Sequence, residues 1–187
     1  MNAIDLLMKD HQGAKKAMDE LGQASGAKRM EIFKTLKHEL EVHDHIEETI
    51  FYPGVLAEAG GAGLNKGDKE AHEAVEETLD QLLELPVEDP DWMPTFNAMR
   101  TNLLAHVADE EGNLFPRIRK ALSAQRLETL GQRMAEEKEA RLKGPKPTES
   151  EAIVAAERDK KSPGTPLVPP VPLPVDEAGS DDPPLGR

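Results

Sequence analysis

The feature that most constrains the fold is a helical repeat of apolar residues. Four segments place apolar side chains, with a few histidines and glutamates among them, at three- and four-residue spacing. This spacing is typical of a helix that buries one face. The four sets are Ile4, Leu7, His11, Ala14, Met18 and Leu21; Ile32, Leu36, Leu40, His43, Glu47 and Ile50; His72, Val75, Leu79 and Leu82; and Phe96, Met99, Leu103, His106, Glu110 and Leu114. Because no convincing strand pattern accompanies them, the sequence predicts an all-α, antiparallel up-down four-helix bundle.

Short breaks separate these segments, and a fifth helix follows them. The breaks are rich in glycine and proline, at Gly22–Gly26, Gly60–Gly67 and Pro86–Pro90. The extra C-terminal helix is predicted from about Ser123 to Leu142, with Ser123 as its N-cap. One face of this helix carries Leu127, Leu130 and Met134. We expect the helix to lie across the bundle or to extend one end of it.

The composition changes near Lys143. Ten of the 15 prolines follow that point, and proline removes a backbone donor and fixes φ. We therefore expect a bundle domain over residues 1–142 and a disordered, flexible Pro-rich tail over 143–187, with polyproline-like stretches. Within the tail, residues 149–160 could form a short helix, and the Pro-x2-Pro runs at 166–174 could bind a partner groove.

Ionisable groups occupy positions where the helical period requires apolar residues. His11 interrupts the first stripe, His43 and Glu47 the second, and His106 and Glu110 the fourth. Residues four apart share a helix face, so each His-x3-Glu pair places a nitrogen beside a carboxylate, both facing the core. A buried carboxylate costs several kcal/mol unless it is paired or bound to a cation. A pair of divalent or trivalent cations would resolve this conflict.

These groups belong to an internal repeat. The segment His43–Pro53 aligns with His106–Pro116 at an offset of 63 residues, and His11 and His72 are 61 residues apart. The body is therefore expected to be two helical hairpins, each supplying one histidine and then a His-x3-Glu pair. With a pseudo-twofold axis, the six groups converge on one centre, and paired half-sites of this kind suit a dinuclear site with bridging carboxylates.

The two H-x3-E-E-x2-[FL]-[YF]-P segments, each preceded by a histidine, resemble the hemerythrin-like (HHE cation-binding) family. The resemblance covers residues 1–142 and leaves out the tail. It implies a four-helix bundle that holds a non-haem diiron centre, two iron ions joined by an oxo or hydroxo bridge. It also implies six metal ligands, with the two glutamates bridging the irons: His11, His43, Glu47, His72, His106 and Glu110.

One position departs from the oxygen-carrying members of that family, which have a further histidine one turn after the third-helix histidine. Here that position is Glu76. Two six-coordinate metals offer about twelve positions, and the expected donors and bridge fill about ten of them. The site is therefore either more open than that of a carrier or closed by Glu76. Either arrangement favours a reactive or sensing centre over a pure oxygen carrier.

Other polar residues have simpler explanations. His38 and His45 lie off the buried stripe and are predicted to be surface histidines, while Glu48 and Glu111 are expected to be solvated or to support the ligands. The sequence around His38 resembles a zinc-protease motif, but its two histidines are five residues apart and cannot share a helix face. Ferritin-like diiron proteins use Glu-x2-His pairs, so that alternative is weaker.

Charge and composition narrow the function. The net charge of −13 disfavours nucleic acid and anionic membranes as partners. The absence of cysteine excludes thiolate sites, and no basic region leads into an apolar run at the N-terminus, so a cytoplasmic protein is expected. A nitrogen and oxygen ligand set with open positions suits iron, although zinc could occupy it.

We expect a diiron protein that binds or reacts with O₂, NO or peroxide, in sensing, detoxification or iron-centre repair. An electron donor is a candidate partner, and whether the protein turns over a substrate is left open. One alternative is an iron-binding or iron-storage module without turnover. Another is a structural bundle that has lost its metal, which the six intact positions argue against.

Overall fold

The computed structural model of the protein describes residues 1–59 and 66–143, and this part of the chain is entirely helical. Its α-helices are α1 (Ala3–Gln23), α2 (Gly26–Ile46), α3 (Tyr52–Ala59), α4 (Lys66–Glu84), α5 (Trp92–Asp109), α6 (Phe115–Ala121) and α7 (Ala124–Lys143). Two π-helical turns join α2 to α3 and α5 to α6, at Glu47–Phe51 and Glu110–Leu114. The predicted all-α bundle with an extra C-terminal helix is confirmed. No helix of the described ranges combines the length and the apolar character needed to cross a bilayer.

Some predictions concern residues outside this part of the chain. The flexible tail, the short helix at 149–160 and the Pro-x2-Pro groove ligand all lie beyond residue 143. The division into a bundle over 1–142 and a tail over 143–187 therefore stays a prediction.

Side chains cap the first and last helices. The Asn2 side chain accepts a hydrogen bond from the backbone N–H of Asp5 at 3.0 Å, which satisfies one of the free donors at the start of α1. Ser123 Oγ accepts from the backbone N–H of Arg126 at 3.2 Å, as the sequence predicted for α7. Gly26, with φ of +54°, lets the chain turn sharply from α1 into α2.

The core consists of two apolar clusters separated by a polar layer. One cluster gathers the start of α1, the two π-helical turns, α6 and α7, around Phe51 and Phe115. The other gathers the end of α1, the first part of α2, α4 and α5, around Phe33 and Trp92. The histidines and glutamates that interrupt the apolar stripes lie between the two clusters. Helix α7 packs against α1, α2 and the first π-helical turn, so it covers one side of the bundle.

The π-helical turns occur at the same place in both hairpins. The backbone N–H of Tyr52 bonds to the carbonyl of Glu47, and that of Phe115 bonds to the carbonyl of Glu110, each five residues back. Prolines follow directly, at positions 53 and 116. Because proline has no N–H and its ring crowds the preceding turn, a wider turn accommodates it. Proline usually kinks or ends a helix, but the chain stays helical beyond both of these prolines, as α3 and α6.

Candidate metal centre

The six residues expected to bind metal lie in the polar layer between the two apolar clusters. Glu47 and Glu110 are fully buried, at 0% exposure, and the histidines at 11, 43 and 72 are also buried. His106 is half-buried at the residue level. The six side chains come from four helical segments, which are α1, α2 with its π-helical turn, α4, and α5 with its π-helical turn. The predicted convergence of two hairpins is what the structure shows.

The six residues form two overlapping groups that could each hold a metal ion. One group is His11, His43, Glu47 and Glu110, and the other is Glu47, His72, His106 and Glu110. Within each group, one donor atom from every residue lies within 4.8 Å of the others. Both glutamates belong to both groups. Their assignment as ligands stays a prediction, but this is the arrangement that two cations bridged by two carboxylates require.

The Nε2 atoms of the four histidines face the two glutamates. His11 Nε2 lies 3.2 Å from Glu110 Oε2, and His43 Nε2 lies 3.6 Å from Glu47 Oε2. In the second group, His72 Nε2 lies 3.4 Å from Glu47 Oε2 and 2.9 Å from His106 Nε2. The nitrogen lone pairs and carboxylate oxygens of each group are thus directed into one small volume.

The ionisable groups around this volume favour the binding of cations. Burial, together with the charge of Glu110, raises the pKa of Glu47 well above its usual value. Burial lowers the pKa of His43, and burial with the charge of His106 lowers the pKa of His72 to about 4. These two histidines are therefore neutral near pH 7, which is the form that binds metals.

Some donor atoms of the centre lack a hydrogen-bond partner. In the described part of the chain, His11 Nε2, Glu47 Oε1 and Glu110 Oε2 are buried and unpaired. His11 Nε2 and Glu110 Oε2 are close, but their geometry is not that of a hydrogen bond. Unpaired buried acceptors are costly, and cations placed among these atoms would satisfy them. The residues therefore fit a pair of metal ions.

A second pair of glutamates supports the histidines from outside. Glu111 Oε1 lies 3.0 Å from His11 Nδ1, and Glu48 Oε1 lies 3.5 Å from His72 Nδ1. The two contacts are related by the internal repeat, and each joins one hairpin to the other. A carboxylate on the outer nitrogen orients a metal-binding histidine and increases its basicity. Glu48 and Glu111 were expected to be solvated or to support the ligands. Glu111 is at hydrogen-bond distance from His11, whereas Glu48 is exposed and lies near His72 Nδ1 without a hydrogen bond.

Other candidate residues lie outside the two groups. Glu76 is exposed, and it is absent from both possible metal-holding groups. His45 Nε2 contacts Glu137 Oε1 at 3.1 Å, away from the centre, and His38 Nδ1 lies 3.9 Å from Glu41. Both histidines are half-buried rather than fully exposed.

Sequence reasoning missed two aspartates next to the centre. Asp10 Oδ2 lies 3.6 Å from His43 Nδ1, and Asp44 Oδ1 lies 3.9 Å from His72 Nε2. Burial, reinforced by the charges of Glu48 and Glu110, raises the pKa of Asp44 to about 8. The only available signal was adjacency, because each aspartate is next to a stripe histidine in the sequence.

A cavity of about 210 Å³ adjoins the centre. Three of the six candidate ligands line it: His11, His43 and His106. Its apolar wall comes from Ala14, Leu40, Leu103 and Val107. The cavity therefore reaches three of the four candidate histidine ligands.

Comparison with known proteins agrees with this geometry. A family model described as the hemerythrin HHE cation binding domain matches residues 2–118. The chain belongs to this family. The HHE match thus includes all six candidate ligands and ends before α7.

The chain is also similar in sequence or structure to several individual proteins. The chain is 31% identical over 138 residues to Rv2633c of Mycobacterium tuberculosis, described as uncharacterized, covering 72% of this chain and 84% of that protein. A crystal structure of an Rv2633c homolog from Mycobacterium kansasii, an HHE cation binding domain-containing protein, matches with a TM-score of 0.67. Its identity is 26%, over 86% of this chain and 94% of that one. A DNA nickase of Nostoc is 27% identical over 129 residues, covering 68% of this chain and only 36% of that protein.

Proposed function

We propose that the two groups hold two iron ions, joined by an oxo or hydroxo bridge, and that this diiron centre binds or reacts with O₂, NO or peroxide. The observation that carries the proposal is the sharing of Glu47 and Glu110 by both groups. A shared pair of carboxylates suits two metals side by side better than two separate sites. The donor set of nitrogen and oxygen without sulfur favours iron, and bound iron would supply redox chemistry and open coordination positions.

The residues of the chain prepare the site for such a ligand. The lowered pKa values of His43 and His72 leave their Nε2 lone pairs free to bind a cation. Glu48 and Glu111 contact the outer nitrogens of His72 and His11. Tyr52 Oη lies 3.1 Å from Glu110 Oε1 and 3.3 Å from Glu47 Oε2, so it holds a proton beside both carboxylates. The cavity of about 210 Å³ is large enough for a diatomic or a peroxide, and apolar side chains form part of its lining.

Metal analysis tests the iron content. Protein expressed in iron-supplemented medium should contain about two irons per chain. His43→Ala and Glu110→Ala should lose iron, because His43 is a donor of the first group and Glu110 is a donor of both groups. His38→Ala and His45→Ala are matched controls, since both histidines lie outside the two groups. Two irons retained in His43→Ala and Glu110→Ala would contradict the site.

Stopped-flow spectroscopy tests the reactivity. The ferrous protein is mixed separately with O₂, NO and peroxide, and the visible spectrum is followed. A rapid spectral change with at least one of the three supports a reactive centre. If none of them changes the spectrum of an iron-loaded sample, the protein is an iron-binding or storage module without turnover.

A further inference from the structure

Helix α7 lies outside the family match, yet it is built tightly into the bundle. The match ends at residue 118, and α7 begins at Ala124. A Cβ added to Gly131 would lie 2.5 Å from the backbone oxygen of Met1 and 2.6 Å from the backbone nitrogen of Ala3. Only a glycine at this position lets α7 approach the start of α1 so closely. The position of α7 relative to α1 is therefore closely defined.

One side chain of α7 connects it to the metal centre. Lys138 Nζ lies 2.5 Å from Asp10 Oδ1, and Asp10 Oδ2 lies 3.6 Å from His43 Nδ1. Asp10 and Lys138 are largely shielded, with side-chain exposures of 12% and 23%. All three residues also line the cavity beside the centre. The lysine thus fixes the aspartate behind a candidate metal ligand.

The aspartate and the histidine face each other with unpaired atoms. Within the described ranges, Asp10 Oδ2 and His43 Nδ1 are both buried without a hydrogen-bond partner. A histidine that binds metal through Nε2 carries its proton on Nδ1. That proton would face the Asp10 carboxylate, and a shift of a few tenths of an ångström would bring the pair to hydrogen-bond distance.

The other half of the repeat lacks this arrangement. With the 61-residue offset that relates His11 to His72, the equivalent of Asp10 is Ala71. Among the carboxylates of residues 1–58 and 69–143, none lies within 4.0 Å of His106 Nδ1; the ion-pair contact of His106 is from Nε2 to Glu110. Among the described side chains, both histidines of the first group have a carboxylate near Nδ1, whereas in the second group His72 alone has one.

We infer that Asp10, held by Lys138 of α7, is a positioning residue for His43 and makes the His11–His43 position the tighter of the two metal positions. A carboxylate behind a histidine ligand orients the ring and strengthens its donation to the metal. The first position has two such carboxylates, Asp10 and Glu111, while the second has Glu48. This inference rests on the proposed binding of two metal ions to the shared centre, and does not depend on reactivity with oxidants.

Equilibrium titration with Co²⁺ tests the inference on the full chain, with visible absorption reporting the site geometry. The wild-type protein should bind two Co²⁺ with unequal affinity. Asp10→Asn and Lys138→Met should weaken the tighter step about 10- to 100-fold, the range typical of lost support behind a metal ligand. The weaker step should change by less than about twofold. Lys138→Arg, which keeps the charge, should restore most of the tighter step.

A neighbouring contact on the same helix supplies the matched control. Glu137 is adjacent to Lys138 and contacts His45 on α2, away from the centre. Glu137→Gln therefore perturbs α7 without touching Asp10, and it should leave both Co²⁺ steps unchanged. Thermal unfolding of each metal-free variant shows whether the bundle is intact. Mössbauer spectra of ⁵⁷Fe-loaded protein should show two distinct iron environments in the wild type and more similar ones in Asp10→Asn.

Three results would overturn the inference. They are equal affinities for the two Co²⁺ in the wild type, an unchanged tighter step in Asp10→Asn, and equal weakening of both steps in Asp10→Asn and Glu137→Gln. A wild-type protein that binds no Co²⁺ and no iron would overturn the proposed function as well. A wild type that binds two metals but fails to respond to Asp10→Asn would overturn the inference alone.

Discussion

Tyr52 and Phe115 stand at equivalent positions of the repeat, 63 residues apart, and each stacks on the first histidine of the opposite hairpin. The Tyr52 ring lies 6.3 Å from the His72 ring at 18°, and the Phe115 ring lies 5.8 Å from the His11 ring at 9°. Only Tyr52 carries a hydroxyl, and that hydroxyl reaches both shared glutamates. The packing of the centre is therefore nearly symmetric, while its hydrogen bonding is not.

Replacing Tyr52 by phenylalanine removes this hydroxyl and keeps the ring. The metal-free variant should be less stable than the wild type by about 1–2 kcal/mol, because a buried carboxylate loses its donor. Cations would compensate the same carboxylates, so the loss should be smaller in metal-loaded protein. Urea unfolding with and without metal measures both differences. Equal destabilisation in the two states would contradict this role of the hydroxyl.

The raised pKa of Asp44 leads to a prediction of how the stability of the metal-free protein depends on pH. Burial, with the charges of Glu48 and Glu110, raises the pKa of Asp44 from its ordinary value of 3.8 to about 8 in the folded state. A folded state that holds a proton longer than the unfolded state loses stability as pH rises between those two values. Asp44→Asn should therefore be more stable than the wild type at pH 8, by on the order of 2 kcal/mol. The difference should shrink towards zero as pH falls to 4, measured by urea unfolding in the presence of a chelator.

Gly131 and Gly13 make a matched pair for the packing of α7. Alanine is favoured over glycine in a helix by about 1 kcal/mol. Gly13 has nothing within 4 Å of an added Cβ, so Gly13→Ala should stabilise the protein by up to about that amount. Gly131→Ala would collide with the backbone of residues 1–3, and should destabilise it by about 2 kcal/mol or more. Thermal melts of both variants give the signs, and a stabilising Gly131→Ala would show that α7 is loosely docked.

The ligand candidates were predictable because they break a pattern. His43 and Glu47 stand on an apolar stripe where only a paired or cation-bound group is tolerated, and the repeat doubles that signal. Glu76 shows the limit of spacing alone. It lies four residues after His72, but the buried face of α4 continues through Val75 and Leu79, which leaves Glu76 exposed.

Features that depend on tertiary packing or on local backbone geometry could not be predicted, because they produce no periodic pattern in the sequence. Lys138 meets Asp10 only because α7 packs against α1, and nothing in either segment specifies that partner. The π-helical turns were also missed, since the usual effect of a proline is to kink or end a helix rather than to widen the turn before it. The second π-helical turn begins at Glu110, so it contributes to the placement of a candidate ligand.

The cavity beside the centre predicts how a reacting molecule reaches the metals. Ala14 lies on α1 three residues after His11, is half-buried and lines the cavity. Ala14→Leu would fill part of the cavity, whose volume is about 210 Å³, without removing a candidate ligand. Iron content should stay at the wild-type level, while the stopped-flow rate constants fall about tenfold or more, further for peroxide than for the smaller NO. Ala98→Leu is the control, because Ala98 is exposed on α5 and does not line the cavity. Wild-type rates in Ala14→Leu would mean that ligands reach the centre by another path.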